Sequence, residues 1–359
     1  MGLRSMFIAF GVTVLACAGP ALAAADDPAR GVVDGAAAKL ESFYVYPSRA
    51  REAAALLRRN AASGAYDGLR DAALAQRVTA DLAGVLHDKH VRLMYSVDVN
   101  PPAKASGKGP SPEELAQQEA FYRQVDYGMG RVAHLPGNIG YLDLRYFFMS
   151  ADPAAARRVF DGMIDSVAYS DAIVLDLRRN HGGDPRAIAR VLSHFLAPKT
   201  HLNDFVERGD GDAKIADSTY TEEVAGPRIT APLYVLTSSE TFSGGEECAY
   251  DVQALKRGTL LGAVTGGGAN PGDTRRIDDH FAIFVPDARA RNPITKTNWE
   301  GVGVKPDIEL PRERALIAAY GMALDAKLKD TSLSTPQRAN LTQLRAKLDT
   351  MTDTEILGL

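Results

Sequence analysis

Ser243 sits in the stretch ETFSGGEECAYD, residues 240–251, on a Gly-Gly turn at the mouth of a helix. Two kinds of chemistry fit it. With Glu246 three residues on, it has the spacing of a helix-capping box. It is equally a serine whose hydroxyl could act as a nucleophile, because the helix dipole and the N–H groups of Gly244 and Gly245 favour negative charge at that point. The segment alone leaves both readings open. A nucleophile requires a base, an acid to orient that base, and donors for the oxyanion. Three histidines compete for the first role: His90 in LHDKHVRL, where a helical pattern breaks into an extended run, His87 one helical turn before it, and His181 inside RNHGGDP. Spacing does not choose among them. Glu300, after the single tryptophan in NPITKTNWEGVGVKPDIEL, reads by itself as an ordinary loop carboxylate. Gly182-Gly183 follows a strand-like run and precedes a helix; the free N–H groups of such a turn can hold an anion or an oxyanion, or simply reverse the chain.

Several elements must bring these residues together. From residue 113 onward short apolar runs rich in β-branched residues, NIGYLDLRYF, DAIVLDLR, PLYVLTS, GTLLGAV and FAIFVP, alternate with helical stretches, PAAARRVFDGMIDSVA, PRAIARVLSHFLA and GEECAYDVQALKR. That alternation predicts an α/β core around a largely buried sheet. Residues 31–87 read as three short helices, the last with Leu74, Val78, Leu82 and Val85 on one stripe, which predicts a small helical bundle. NPPAKASGKGPSP, residues 100–112, has linker composition. From Pro311 the pattern is helical again. The predicted organisation is a signal peptide over 1–23, a helical domain over 24–98, a linker over 99–119, a core over 120–310 and a C-terminal helical extension over 311–359.

The chain has 359 residues, 45% hydrophobic and 24% charged, with a formal net charge of −4. This is soluble globular composition, and the acidic balance gives no basis for a nucleic-acid partner. MGLRSMFIAFGVTVLACAGPALA has the positive start, short apolar run and Ala-Leu-Ala end of a secretory signal; it is short for a membrane span, and no later stretch is long and apolar enough for one. Export to the periplasm or the medium is the expectation, with lipid anchoring through Cys17 a weaker alternative. Cleavage after Ala23 removes Arg4 and no acid, taking the formal charge from −4 to −5. It also leaves Cys248 as the one cysteine, which excludes an internal disulfide and predicts a small buried hydrophobe on a helix.

NIGYLDLRYF, DAIVLDLRRNHGG, LTSSETFSGGEE and NWEGVGVKPDIEL, in this order, resemble the tail-specific (C-terminal processing) serine peptidases, in the branch that includes the interphotoreceptor retinoid-binding protein and the core of tricorn protease. YVYP and DKHVRL resemble the helical domain that precedes that core, and the resemblance spans about residues 30–310. It implies a crotonase-like (ββα) protease core with Ser243 as nucleophile, His90 as base, Glu300 as acid, and Gly182, Gly183 and the N–H of Gly244 as the oxyanion hole. It implies a peptide or protein substrate, and neither a metal nor an organic cofactor. Other members use a Ser/Lys pair; here Gly268 in VTGGGANPG stands near the place of that lysine. Where tricorn has a serine before its histidine, this chain has Lys89. The alternative function on the same fold is a non-catalytic binder of lipophilic ligands or peptides.

Overall fold

The computed structural model describes residues 28–100 and 111–359; the expected signal peptide over 1–23 and Cys17 lie outside them. The elements, in chain order, are α1 (Pro28–Phe43), α2 (Pro47–Ala62), α3 (Asp71–Leu86), β1 (Arg92–Tyr95), α4 (Pro112–Gln124), β2 (Met129–Leu135), β3 (Ile139–Leu144), α5 (Ala154–Asp165), β4 (Ala172–Asp176), α6 (Pro185–Ser193), β5 (His201–Glu207), β6 (Ile215–Tyr220), β7 (Leu233–Thr237), α7 (Gly244–Ala254), β8 (Thr259–Gly262), β9 (Gly272–Arg276), β10 (Phe281–Pro286), β11 (Ala288–Arg291), β12 (Ile308–Glu309), α8 (Arg312–Lys327), α9 (Thr335–Lys347) and α10 (Asp353–Leu357).

Six strands form the central sheet in the order β12-β8-β7-β4-β3-β2, parallel throughout except for the antiparallel β2–β3 edge. Its inner strands are apolar on both faces, as a sheet covered on both sides must be. Side chains divide by the period of two: Ile173 and Leu175 of β4 and Leu233 and Val235 of β7 face the core built by α5, α6 and α7. Val174, Tyr234 and Leu236 face the other side, where Leu316, Tyr320 and Leu324 of α8 close the sheet. The C-terminal segment is therefore a wall of the core rather than an appendage. Cys248 on α7 is buried in the first of these cores.

Two smaller antiparallel sheets, β1-β10-β9 and β11-β5-β6, flank the central one. The first joins the N-terminal helices to the rest. Leu40, Leu57 and Leu82 of α1–α3 share one core with Leu93 of β1 and Phe281, Ile283 and Val285 of β10. Residues 28–98 thus pack on a hairpin contributed from nearly 190 positions later in the chain, with Arg92 opposite Phe284. Part of the expected linker over 99–119 belongs to α4, whose N-terminus carries a complete capping box: Ser111 Oγ accepts from the Glu114 amide, and Glu114 accepts from the Ser111 amide.

Behind Ser243, α7 buries two acids one turn apart. Asp251 accepts from Asn203 at 2.9 Å and from Asn292 at 3.2 Å, and Glu247 faces the same Asn203 amide at 3.4 Å. Burial raises both carboxyls, and Asp251 raises Glu247 further. A carboxyl raised in the folded state keeps a proton that the unfolded chain has released, so stability falls as pH rises from the ordinary carboxylate range, about 4, through the higher folded value. Thermal melts should show this decline between about pH 5 and 8. Glu247→Gln removes one titrating group while keeping an acceptor, and should be more stable than the parent at pH 8, with a flatter profile. Parallel pH profiles for the two proteins would refute the assignment.

Candidate active site

The C-terminal ends of β4, β7 and β8, three neighbours in the sheet, open into the loops that carry the chemistry. In open α/β sheets ligands bind at such strand ends. Asn180, fully buried, fastens these loops together. Its side chain donates to Leu144 O at the end of β3 and accepts from Gly182 N–H at 2.9 Å, while its carbonyl accepts from Phe242 N–H at 2.9 Å. Thr241 and Ser238 add hydroxyl bonds from the β7 turn to Leu177 O and Arg178 O of the β4 turn.

Ser243 is thereby held at φ 53°, ψ −121°, a conformation costly for a residue with a side chain. A strained strand-to-helix turn of this kind can present a serine hydroxyl as a nucleophile. The geometry of the predicted capping box is in place: the Glu246 carboxylate accepts from Ser243 N–H at 2.9 Å, and the Glu246 amide, placed against the Ser243 side chain, donates to the Ser243 carbonyl at 2.8 Å. The glycine turn lies directly against it: a Cβ on Gly182 would fall 2.7 Å from Ser243 Cβ, and one on Gly244 would fall 2.9 Å from Gly183 N. Gly182 and Gly183 also have φ of 98° and 147°, so side chains are excluded there by conformation as well as by space. Gly182 N–H is committed to Asn180, whereas the N–H groups of Gly183 and Gly244 have no partner among the described residues.

His90 comes from the turn after α3, which His87 ends in the left-handed conformation at φ 53°. Its ring is 7% exposed and packs on Phe242, the neighbour of Ser243, at 4.7 Å between centroids. His87 and His181 are both exposed. Burial, and then the positive charge of Arg92, hold His90 down at about 4. A side chain at Gly268 would fall 2.4 Å from the Phe242 ring and 2.7 Å from His90 Cε1; the imidazole fills the space that a residue there would need.

Glu300 enters from the loop after β11, half-buried, its Oε2 accepting from Ala269 N–H at 2.6 Å and Asn270 N–H at 3.1 Å. Burial and the neighbouring Asp88 carboxyl raise its pKa. One ligating atom each from Asp88, His90 and Glu300 lie within 4.8 Å of one another.

Asp88, two residues before His90, was not singled out from the sequence. The loop 265–270, noted there only for Gly268 near the place of a lysine, joins the parts. It gives Thr265 Oγ1 and the amides of Gly267 and Gly268 to Glu246, the amides of Ala269 and Asn270 to Glu300, and the Asn270 side chain to Asp88; Gly266 O and Gly268 O receive Lys89 Nζ and Trp299 Nε1. Three consecutive glycines after a strand were the available signal for close backbone approach.

Residues 138–310 match the model of peptidase family S41. Among solved structures, a candidate peptidase from Parabacteroides merdae superposes with a TM-score of 0.59 at 19% identity, over 84% of this chain and 98% of that one. A lipoprotein from Streptococcus agalactiae gives 0.53 at 13% identity, over 83% and 96%. The photosystem II D1 C-terminal processing protease gives 0.49 at 19%, over 80% and 94%. No helix among the described residues is long and apolar enough to cross a membrane.

Proposed function

We propose that this chain, a serine-type peptidase of family S41 through its residues 138–310, cuts peptide bonds by a Ser243/His90/Glu300 mechanism on a crotonase-like (ββα) core, outside the cytoplasm. In this reading Ser243 Oγ attacks the substrate carbonyl while His90 accepts its proton, then returns it to the leaving amine. Glu300 orients and charges the imidazole. The N–H groups of Gly183 and Gly244 hold the oxyanion, where one donor is worth about 3–4 kcal/mol, and Gly182 shapes the turn. Water then releases the acyl group by the same steps in reverse.

The observation that carries the reading is the conformation of Ser243, which is strained and in contact with a glycine turn whose Gly183 amide has no partner. A serine that served only as a cap would have a relaxed backbone. A fluorophosphonate probe on the purified protein should label Ser243 and abolish peptide hydrolysis. An unlabelled, hydrolytically inert protein would defeat the proposal.

The base assignment has a pH signature. A free histidine titrates near 6.5, but burial and Arg92 hold His90 at about 4. Neutral imidazole is the working form, so kcat/KM, which reports the free enzyme, should lose its acid limb near pH 4. A limb at about 6.5 would count against the buried His90 as base.

Export rests on the N-terminal pattern. Protein recovered from the periplasm or medium should begin after Ala23. An intact Met1 there would count against cleavage.

A further inference from the structure

Two buried polar atoms at the site have no hydrogen-bond partner, His90 Nδ1 and Glu300 Oε1. Both are functional atoms in the proposed mechanism, and no His90–Glu300 ion pair joins them directly. The carboxylate nearest the ring is that of Asp88, whose Oδ1 lies 3.9 Å from Nδ1. Asp88 is 1% exposed and held from three sides. The His90 amide donates to Oδ1 at 3.0 Å, while Tyr44 Oη and Asn270 Nδ2 donate to Oδ2 at 3.1 and 3.3 Å. Lys89, next in the chain, does not neutralise it; its Nζ is turned to Gly266 O at 2.6 Å.

We infer that Asp88 is a positioning residue that couples His90 to Glu300, its carboxyl lying beside both the Nδ1 nitrogen and the Glu300 carboxyl. The inference rests on the reading of Ser243 and His90 as nucleophile and base. Two acids this close in a buried site do not both ionise, so the pair holds one proton and one negative charge. Because the amide of His90 itself holds Asp88, carboxylate and ring ride on one two-residue turn. When the ring takes the serine proton, its Nδ1–H faces the charge of the pair. The 3.9 Å separation is longer than a hydrogen bond, and such contacts close in the substrate complex. Glu300, fixed by Ala269 and Asn270, acts on the ring through Asp88.

The test is a cycle of Asp88→Asn, Glu300→Gln and the double variant, with kcat and KM measured on a peptide that the parent cleaves and melting temperature as the folding control. Asparagine keeps the acceptor for the His90 amide, so the turn survives. Asp88→Asn should lower kcat by on the order of 10²–10⁴, with KM within about twofold, as loss of an orienting aspartate does elsewhere. The double variant should be no more than about threefold worse than the worse single variant, the mark of residues acting as a unit. A folded Asp88→Asn protein with parental kcat, or losses that multiply, would overturn the inference. If Asp88→Asn does not fold, Tyr44→Phe removes one donor to Asp88 without changing charge; it should lower kcat several-fold at unchanged KM, and parental kcat there overturns it too. A parent that fluorophosphonate labels while Asp88→Asn retains full activity sinks only the role of Asp88. A parent that is neither labelled nor hydrolytic sinks the underlying mechanism with it.

Discussion

Ser243→Ala should remove essentially all peptide hydrolysis and all fluorophosphonate labelling while leaving the melting temperature within a few degrees of the parent. The two effects separate because the hydroxyl does so little for the fold. Even a fully engaged capping serine is worth only about 1 kcal/mol. Loss of a nucleophile, by contrast, costs on the order of 10⁶ in turnover in the serine-protease case. The serine's backbone, not its side chain, carries the structural load: its amide donates to Glu246 and its carbonyl accepts from the Glu246 and Glu247 amides. These bonds survive the substitution. Parental rates in this variant would return Ser243 to the status of a turn residue.

Glu246→Ala should do the opposite and damage fold and activity together. Glu246 is fully buried and accepts four bonds: from Ser243 N–H and Gly268 N–H at Oε2, and from Thr265 Oγ1 and Gly267 N–H at Oε1. Each buried donor left without an acceptor costs about 1–3 kcal/mol. With several stranded at once, the expected loss is at least about 3 kcal/mol. The same loop anchors Glu300 and Asp88, so kcat should fall by at least about tenfold even at temperatures where the protein stays folded, because misplacement by about an ångström is costly. Glu246→Gln, which can keep only one of its two acceptor positions, should fall between. A melt within about a degree of the parent for Glu246→Ala would refute the role assigned to this carboxylate; the several kcal/mol at stake correspond to a much larger shift.

The strands that announced themselves are those inside the central sheet. β3, β4, β7 and β8 are apolar because both faces are covered, and β10 is apolar because it closes the N-terminal core. β5 and β6 did not, since their positions are set by polar contacts: Asn203 reaches the buried acids of α7, and Asp204 binds His201 and Ser218. β9, GDTRR, and β1, RLMY, are strands because β10 supplies the partner, and no local pattern records that. The order of the motifs made Ser243, His90, Glu300 and the glycine turn nameable, whereas the residues themselves left three histidines open. Asp88 was invisible because HDKH reads as the solvated end of a helix. Its burial is imposed by Tyr44 and Asn270, 44 and 182 positions away. Charge patterning sees neighbours along the chain, and this aspartate's neighbours lie across it.

The hairpin β9–β10, on which residues 28–95 fold, also has a meaning in time. A chain emerging N-terminus first presents His90 long before the partners that bury it, since Lys89 meets Gly266 across 177 positions and Asp88 meets Asn270 across 182. Until those later residues arrive, the imidazole is a solvated side chain near its ordinary pKa, the acids are not fixed beside it, and no turn strains a serine. A peptidase assembled from such distant pieces is inert while it is being made, and becomes able to cut only when its own chain is folded out of reach.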